Sequence, residues 1–145
     1  MKALISIRGT QTLDGQTPDV MELTTEGTLE PIADGYKLCY RETAATGMEG
    51  TDTALLIGKE RVILKRTGSN CGMLVLEKHR RHHSHYATPY GMLDLGTYTN
   101  ILRSTVGDNG GELDFAYTLD FNGSVNSTHT VHITIREETS KCLLS

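Results

Sequence analysis

The chain has 145 residues and a formal net charge of −4, which predicts one domain and argues against a generic nucleic-acid binder. Its 37% hydrophobic and 22% charged residues exclude a largely disordered chain. No apolar run approaches the ~20 residues of a membrane-spanning helix. Twenty threonines stand against seven alanines, a balance that favours strands over helices.

Apolar and polar residues alternate with a period of two along nearly the whole chain, and turn signals recur between the alternating segments. Asp14-Gly15, Asp34-Gly35 and Gly58-Lys59 are three of these turn signals. The best candidate for a single helical turn lies within residues 42–50. In chain order, the first predicted strands cover residues 2–11, 19–29, 36–43, 51–57, 61–66, 72–78, 81–88 and 92–106.

The last hairpin has the clearest pattern. Asp108-Asn109-Gly110-Gly111 offers residues that tolerate positive φ, and apolar residues then alternate from Leu113 to Phe121. After a turn at Asn122-Gly123, the final strand places His129 on the same face as its valines and isoleucines.

A meander of this length has two exposed edges unless it closes on itself. We therefore expect an all-β fold: a single antiparallel up-and-down β-barrel of about 8–10 strands, rather than a sandwich. The barrel should span residues 1–136, and residues 137–145 should form a frayed tail. Three cysteines without a CxxC spacing, and an N-terminus without a signal-peptide core, predict a cytoplasmic location.

Four short segments then carry a resemblance to a known family, in order and spacing over residues 2–136: Ile7-Arg8-Gly9-Thr10-Gln11, Thr46-Gly47-Met48-Glu49-Gly50-Thr51, Tyr86-Ala87-Thr88-Pro89-Tyr90-Gly91 and Leu95-Gly96. They resemble the YwiB-like proteins, a family of small bacterial proteins of uncharacterised function. The resemblance implies a calycin-like, and so lipocalin-like, barrel and a cytoplasmic bacterial protein. By analogy of fold it also implies a small-molecule binder. It supplies no catalytic residues.

The segment 79–85 contains four of the six histidines and departs from the family pattern. On a strand, His83 and His85 share one face, and His79 joins them if the chain turns at Arg80-Arg81. Imidazole pairs at this spacing suit Zn²⁺ or Ni²⁺. The favoured alternative is a polar, exposed hairpin tip that binds no metal.

A second set of polar residues continues apolar strand faces. Glu42 follows Tyr36 and Tyr40, Arg66 follows Val62 and Leu64, and Glu77 follows Met73 and Val75. Thr97 and Thr99 follow Leu93 and Leu95. If these faces point inward, the barrel has an apolar floor and a polar mouth suited to an amphipathic ligand. The alternative is an internal ion pair, Arg66 with Glu42 or with Glu77, or simple exposure.

Tyrosines form the third set. Tyr36, Tyr40, Tyr86 and Tyr90, together with Thr88, are candidates for a pocket or its rim, because tyrosine offers an apolar body and a polar tip. The alternative is ordinary core packing, with a tight turn over residues 86–91 set by Pro89.

No nucleophile elbow, phosphate loop or metalloprotease motif occurs, so we assign no catalytic residue and expect no cofactor. The expected function is non-enzymatic binding of a small amphipathic or acidic molecule in the barrel interior. Neither nucleic acid nor membrane is an expected partner. The alternatives are a packed structural or interaction barrel, with a homodimer as one form, and an enzyme that uses polar residues at the barrel mouth.

Overall fold

The computed structural model describes residues 1–13, 16–43, 49–69, 71–89, 91–121 and 125–138. None of these residues belongs to a helix long and apolar enough to cross a membrane. The described chain contains ten strands: β1 (Lys2–Leu13), β2 (Asp19–Ile32), β3 (Gly35–Arg41), β4 (Thr51–Ile57), β5 (Arg61–Gly68), β6 (Cys71–Glu77), β7 (Arg81–Thr88), β8 (Gly91–Ser104), β9 (Gly110–Phe121) and β10 (Val125–Glu137).

The ten strands form a closed barrel in which each strand pairs with its neighbours in the sequence. Every pairing is antiparallel, and β1 closes the ring against β10 from Ala3↔Glu137 to Leu13↔Ser127. The predicted all-β, up-and-down barrel is confirmed. Because β3 and β8 are five strands apart in either direction around the ring, they face each other across the interior.

The barrel has two distinct ends. At the end that we call lower, the strands are joined by turns at residues 33–34, 58–60, 78–80 and 105–109. At the upper end, odd-numbered strands finish and even-numbered strands begin. The interior of the lower half is filled by aliphatic side chains that are at most 5% exposed, among them Ile5, Leu38, Leu55, Val62, Leu76, Leu113 and Ile135. Close packing of this kind supplies most of the stability of a fold.

The lower turns match the sequence. Gly35 and the pair Gly110-Gly111 have φ of 156°, 110° and 145°, a region that glycine enters without steric cost. The Gly58 N–H donates to the Arg61 carbonyl at 3.0 Å. The predicted turns at Asp14-Gly15 and Asn122-Gly123 lie outside the described residues, as does most of the candidate helical turn, residues 44–48.

Two details differ from the sequence-based expectation. A β-bulge between Thr99 and Ile101 inserts one extra residue into β8, which reverses the inward and outward alternation of the rest of that strand. In addition, β10 continues to Glu137, and the Glu138 N–H donates to the Lys2 carbonyl at 3.0 Å. The strand therefore ends later than the predicted boundary at 136, and residues 139–145 lie outside the described chain.

The barrel wall opens between the upper parts of β2 and β3. Their register begins at Gly27↔Tyr40 and runs toward the lower end, while residues 19–26 of β2 have partners on β1. At Gly27 the backbones are very close, since a Cβ there would lie 2.2 Å from the Cys39 carbonyl oxygen. Above this contact the two strands separate, which leaves an opening next to the residue that follows β3, Glu42.

Candidate functional site

A layer of polar side chains crosses the barrel interior above the aliphatic core. We call it the polar layer. Period-two alternation on the strands turns these side chains inward. They lie at one level of the barrel because Glu42 follows β3, Thr53 is near the start of β4 and Arg66 is near the end of β5. Its members are Tyr40, Glu42, Thr53, Arg66, Thr97, Thr99, Tyr117, Ser127 and His129.

Glu42 and Arg66 form the charged centre of the layer. Their side chains are 2% and 16% exposed, and Arg66 Nε lies 3.7 Å from Glu42 Oε2. The hydroxyl of Thr53 donates to the same carboxylate oxygen, and the Glu42 N–H donates to the Thr51 carbonyl at 2.8 Å. The buried carboxylate is thus compensated by the Arg66 guanidinium and by hydroxyl groups, that of Thr53 and that of Tyr40.

Tyr40 lies next to this pair. Burial and the negative charge of Glu42 raise the pKa of the Tyr40 phenol, while Arg66 acts in the opposite direction. The phenol stays protonated at neutral pH. It therefore adds a neutral hydroxyl to the layer and no charge.

His129 and its neighbours form the opposite part of the layer. Burial, and secondarily the positive charge of Arg66, lower the pKa of His129, so the neutral imidazole is favoured. Its Nε2 lies 2.8 Å from the Ser127 hydroxyl. Its ring stacks on Tyr117, with centroids 4.8 Å apart and planes 8° apart. This part of the layer is polar and uncharged.

Thr97 and Thr99 lie on β8, which is next to β9 and therefore beside this cluster. β8 is across the barrel from β3. Both residues are 0% exposed. Their hydroxyl oxygens have no hydrogen-bond partner among the described residues. Burying a hydroxyl without a partner costs free energy, and native proteins rarely leave one so. These two hydroxyls are therefore buried polar groups whose bonding capacity the described residues leave unused.

The upper end above the layer is less tightly filled. Met21, Leu23 and Leu93 lie on inward-facing positions and yet are only half-buried. A groove of about 590 Å³ enters through the opening beside β3 and is lined by Thr25, Arg41, Thr43, Glu49, Gly50 and Asp52, and by Glu42 itself. The polar layer is therefore reached from the upper end, past apolar side chains.

Larger grooves exist elsewhere. One of about 870 Å³ lies at the lower end, against the turns at Asp34-Gly35 and Gly58-Lys59. Another, of about 630 Å³, lies on the outer wall of β2–β5. We give the smaller upper groove more weight, because it alone among these three reaches a buried charged residue, Glu42.

The structure brings half of the predicted ligand-binding residues together. Tyr40, Glu42, Arg66, Thr97 and Thr99 all lie in the polar layer. The predicted internal pair forms between Arg66 and Glu42.

Tyr36, by contrast, lies at the lower end. Its hydroxyl donates to Asp108 Oδ1 at 2.6 Å, and this bond raises its pKa. Tyr86 and Thr88 belong to β7, opposite Leu93 and Gly91. The side chains of those two residues, and Tyr90 as a whole, lie outside what the structure describes.

The expected inward position of Glu77 is wrong. On β6 the buried residues are Leu74 and Leu76, whereas Met73 is 44% exposed. The apolar residues Met73 and Val75 form an outer apolar face, so alternation pointed to the wrong side. Glu77 continues that outer row at the end of β6, and its Oε1 lies 3.0 Å from Nε2 of His82, with the two side chains 24% and 28% exposed.

Most of the histidine segment lies on the outside of the barrel, whereas His82 is opposite the buried Thr97 and shares its inward face. His83 and His85 are exposed on one face of β7, as predicted from their spacing, and His83 Nδ1 lies 3.2 Å from Asp94 Oδ1. His79 lies in the preceding turn, at φ 63°, with its N–H donating to the Thr99 carbonyl. Within the described ranges, no three His, Cys, Asp or Glu side chains are grouped to hold a metal ion.

Four members of the layer were not among the residues predicted from the sequence: Thr53, Tyr117, Ser127 and His129. The signal was present, because each lies on the apolar face of its strand, as His129 does beside Val131 and Ile133. A polar residue on an otherwise apolar face marks the interior only once the facing of the strand is known.

Comparisons with known proteins agree with this fold. A family model described as "Domain of unknown function (DUF1934)" matches residues 5–133. No curated protein matches the chain. The crystal structure of the ywiB protein from Bacillus subtilis is similar, with a TM-score of 0.79 and 19% identity over 95% of this chain and 94% of that one. At this identity the likeness shows the fold alone. The resemblance to the YwiB-like proteins is thereby confirmed, and the chain belongs to the DUF1934 family.

Proposed function

We propose that this barrel binds a small amphipathic molecule in the upper half of its interior and is not an enzyme. The polar group of the ligand contacts the polar layer. Its apolar part lies against Met21, Leu23 and Leu93, the half-buried inward side chains of the upper end. A concave site with apolar walls and a few convergent polar groups is typical of small-molecule sites.

The observation that carries the proposal is the pair of unpartnered hydroxyls at Thr97 and Thr99. Two valines would fill the same space without burying an unsatisfied group, and an apolar core of the lower kind would result. A ligand that supplies the missing hydrogen bonds would explain why these two positions are threonine. The groove that leads to Glu42 supports the proposal by giving a ligand a route to the layer.

A cytoplasmic location fits this proposal. Cys39 and Cys71 both have free thiols, as is usual where the compartment is reducing. The ligand would then be an intracellular molecule.

Native mass spectrometry of the protein purified from its own host tests the proposal. We expect a species heavier than the bare chain that loses a small molecule on collisional activation. A Thr97→Val/Thr99→Val variant prepared in parallel should carry less of it. A Thr130→Val variant, altered at an exposed position on β10, should carry as much as the wild type. Bare chain alone in the wild-type spectrum would contradict the proposal, and bare dimer would favour an interaction protein instead.

A further inference from the structure

We infer that the ligand's polar group is uncharged and rich in hydroxyls, as in a polyol head group, and is not a carboxylate. This inference rests on the proposed function, since it names the class of ligand for the same interior site. Its basis is the charge of the polar layer together with the bonding capacity of its unused groups.

The charged groups of the polar layer balance each other. The layer contains one carboxylate, on Glu42, and one guanidinium, on Arg66, in contact with each other. Tyr40 and His129 are neutral for the reasons given above. The other members are hydroxyl-bearing side chains and Tyr117, which bring no charge at neutral pH. The polar layer is therefore charge-balanced before any ligand enters.

An acidic ligand would disturb this charge balance. Its carboxylate would share the single guanidinium of Arg66 with Glu42, so two negative charges would face one positive charge away from water. Like charges in such a setting repel, and one of the two carboxylates must take up a proton to relieve them. An uncharged head group carries no such cost.

The charge of the upper groove also bears on which ligands can enter. Among the described residues, the upper groove is lined by the acidic Glu42, Glu49 and Asp52 and by one cation, Arg41. Arg41 Nε already lies 3.0 Å from Asp52 Oδ1. The lining thus has an excess of negative charge, which repels an anion on its way in.

The two threonine hydroxyls without a partner determine what kind of group they can bind. The Thr97 and Thr99 hydroxyls each donate one hydrogen bond and accept others. Being two residues apart on one strand, they project from the same face. Two such groups, with the Ser127–His129 pair on β10, match a ligand with adjacent hydroxyls. A ligand hydroxyl can donate to one threonine and accept from the other.

The test uses two probes with the same acyl chain: 1-decanoylglycerol, whose head is an uncharged diol, and decanoate. Both are titrated calorimetrically into the full chain at neutral pH, below their aggregation concentrations. We expect the glycerol ester to bind roughly tenfold or more tightly than decanoate. The Thr97→Val/Thr99→Val variant should lose about tenfold in affinity for the ester, because it loses two hydrogen bonds.

Glu42→Gln should reverse the order of the two probes. It removes the competing carboxylate and leaves Arg66 able to bind the decanoate head group. The matched control is Thr130→Val, on the outer face of β10, which should leave both affinities unchanged. The Thr97→Val/Thr99→Val variant alters no charge and little shape. If Glu42→Gln does not fold, this variant and the ratio of the wild-type affinities for the two probes together test the inference.

The outcomes separate the two proposals. If decanoate binds the wild type more tightly than the ester, the inference about the head group is wrong while interior binding stands. If both bind equally and the threonine variant is unaffected, the hydroxyls are not the recognition groups and the inference is overturned. If neither probe binds, amphiphile binding itself is contradicted, and this inference falls with it.

Discussion

Arg66 Nε lies 3.7 Å from Glu42 Oε2 inside a barrel whose lower half is filled mainly by aliphatic side chains, and the two side chains are 16% and 2% exposed. An ion pair in this position is not an efficient source of stability, because desolvation offsets most of the attraction. Hydrophobic residues of similar size would serve the core at least as well. Stability alone therefore does not account for the pair, which is in keeping with the proposal that the upper interior binds a ligand.

Removing one partner of this pair should destabilise the fold. Arg66→Met leaves the Glu42 carboxylate buried beside Thr53 without a cation, and we expect a loss of about 2–3 kcal/mol in the free energy of unfolding. Glu42→Gln in the same chain should restore at least half of it. Urea denaturation measures both.

The control is an exposed ion pair of shorter distance. Arg41 and Asp52 lie 3.0 Å apart with side chains 79% and 60% exposed, so Arg41→Met should cost less than about 1 kcal/mol. A double variant no more stable than Arg66→Met alone would show that the charge balance in the interior is not what the pair provides.

The close approach of β2 and β3 makes a second prediction. A Cβ at Gly27 would lie 2.2 Å from the backbone carbonyl oxygen of Cys39 and 2.7 Å from Ile5 Cδ1. Gly27→Ala must move the backbone, and we expect a loss of about 2–3 kcal/mol. The measurement is the urea midpoint at constant denaturant slope.

Gly9 is the matched position on β1. A Cβ there meets its nearest atom, Met21 Cε, at 3.6 Å, which is an ordinary contact. Gly9→Ala should change stability by less than about 0.5 kcal/mol. Equal effects of the two substitutions would mean that the strands are not closely apposed at Gly27.

His129 predicts how stability depends on pH. Burial, and secondarily Arg66, lower its pKa in the folded protein below the usual histidine value of 6.5. As the pH falls below about 6.5 the unfolded chain takes up a proton that folded His129 does not, so stability decreases toward the folded pKa. His129→Gln should flatten this part of the profile. An unchanged slope of unfolding free energy against pH in that variant would contradict the assignment.

The sequence predicted the barrel because period-two alternation and turn residues are local properties. The lower turn at Gly110-Gly111 and the inward side of β3 follow from such patterns. The facing of β6 could not be obtained this way, since Met73 and Val75 form an outer apolar row as regular as the inner one of Leu74 and Leu76. Glu77 was therefore placed on the wrong face.

The candidate site was predicted only in part, for a different reason. Glu42 and Arg66 stand out because charges rarely continue an apolar face. Ser127 and His129 become neighbours of Tyr117 through the register of β10 with β9, which alternation within one strand does not reveal. Which strands lie opposite each other, such as β8 and β3, depends on closure of the whole ring and leaves no local pattern in the chain.

The most direct test of the central claim is the stability of the ligand-free Thr97→Val/Thr99→Val protein. If the two hydroxyls await a ligand, replacing them with methyl groups of the same shape removes an unsatisfied polar group at each position. The free energy of unfolding should then rise by about 1 kcal/mol or more per site, while Thr130→Val on the outer face changes it little. A ligand-free double variant less stable than the wild type would contradict the account, because the hydroxyls would then serve the fold itself.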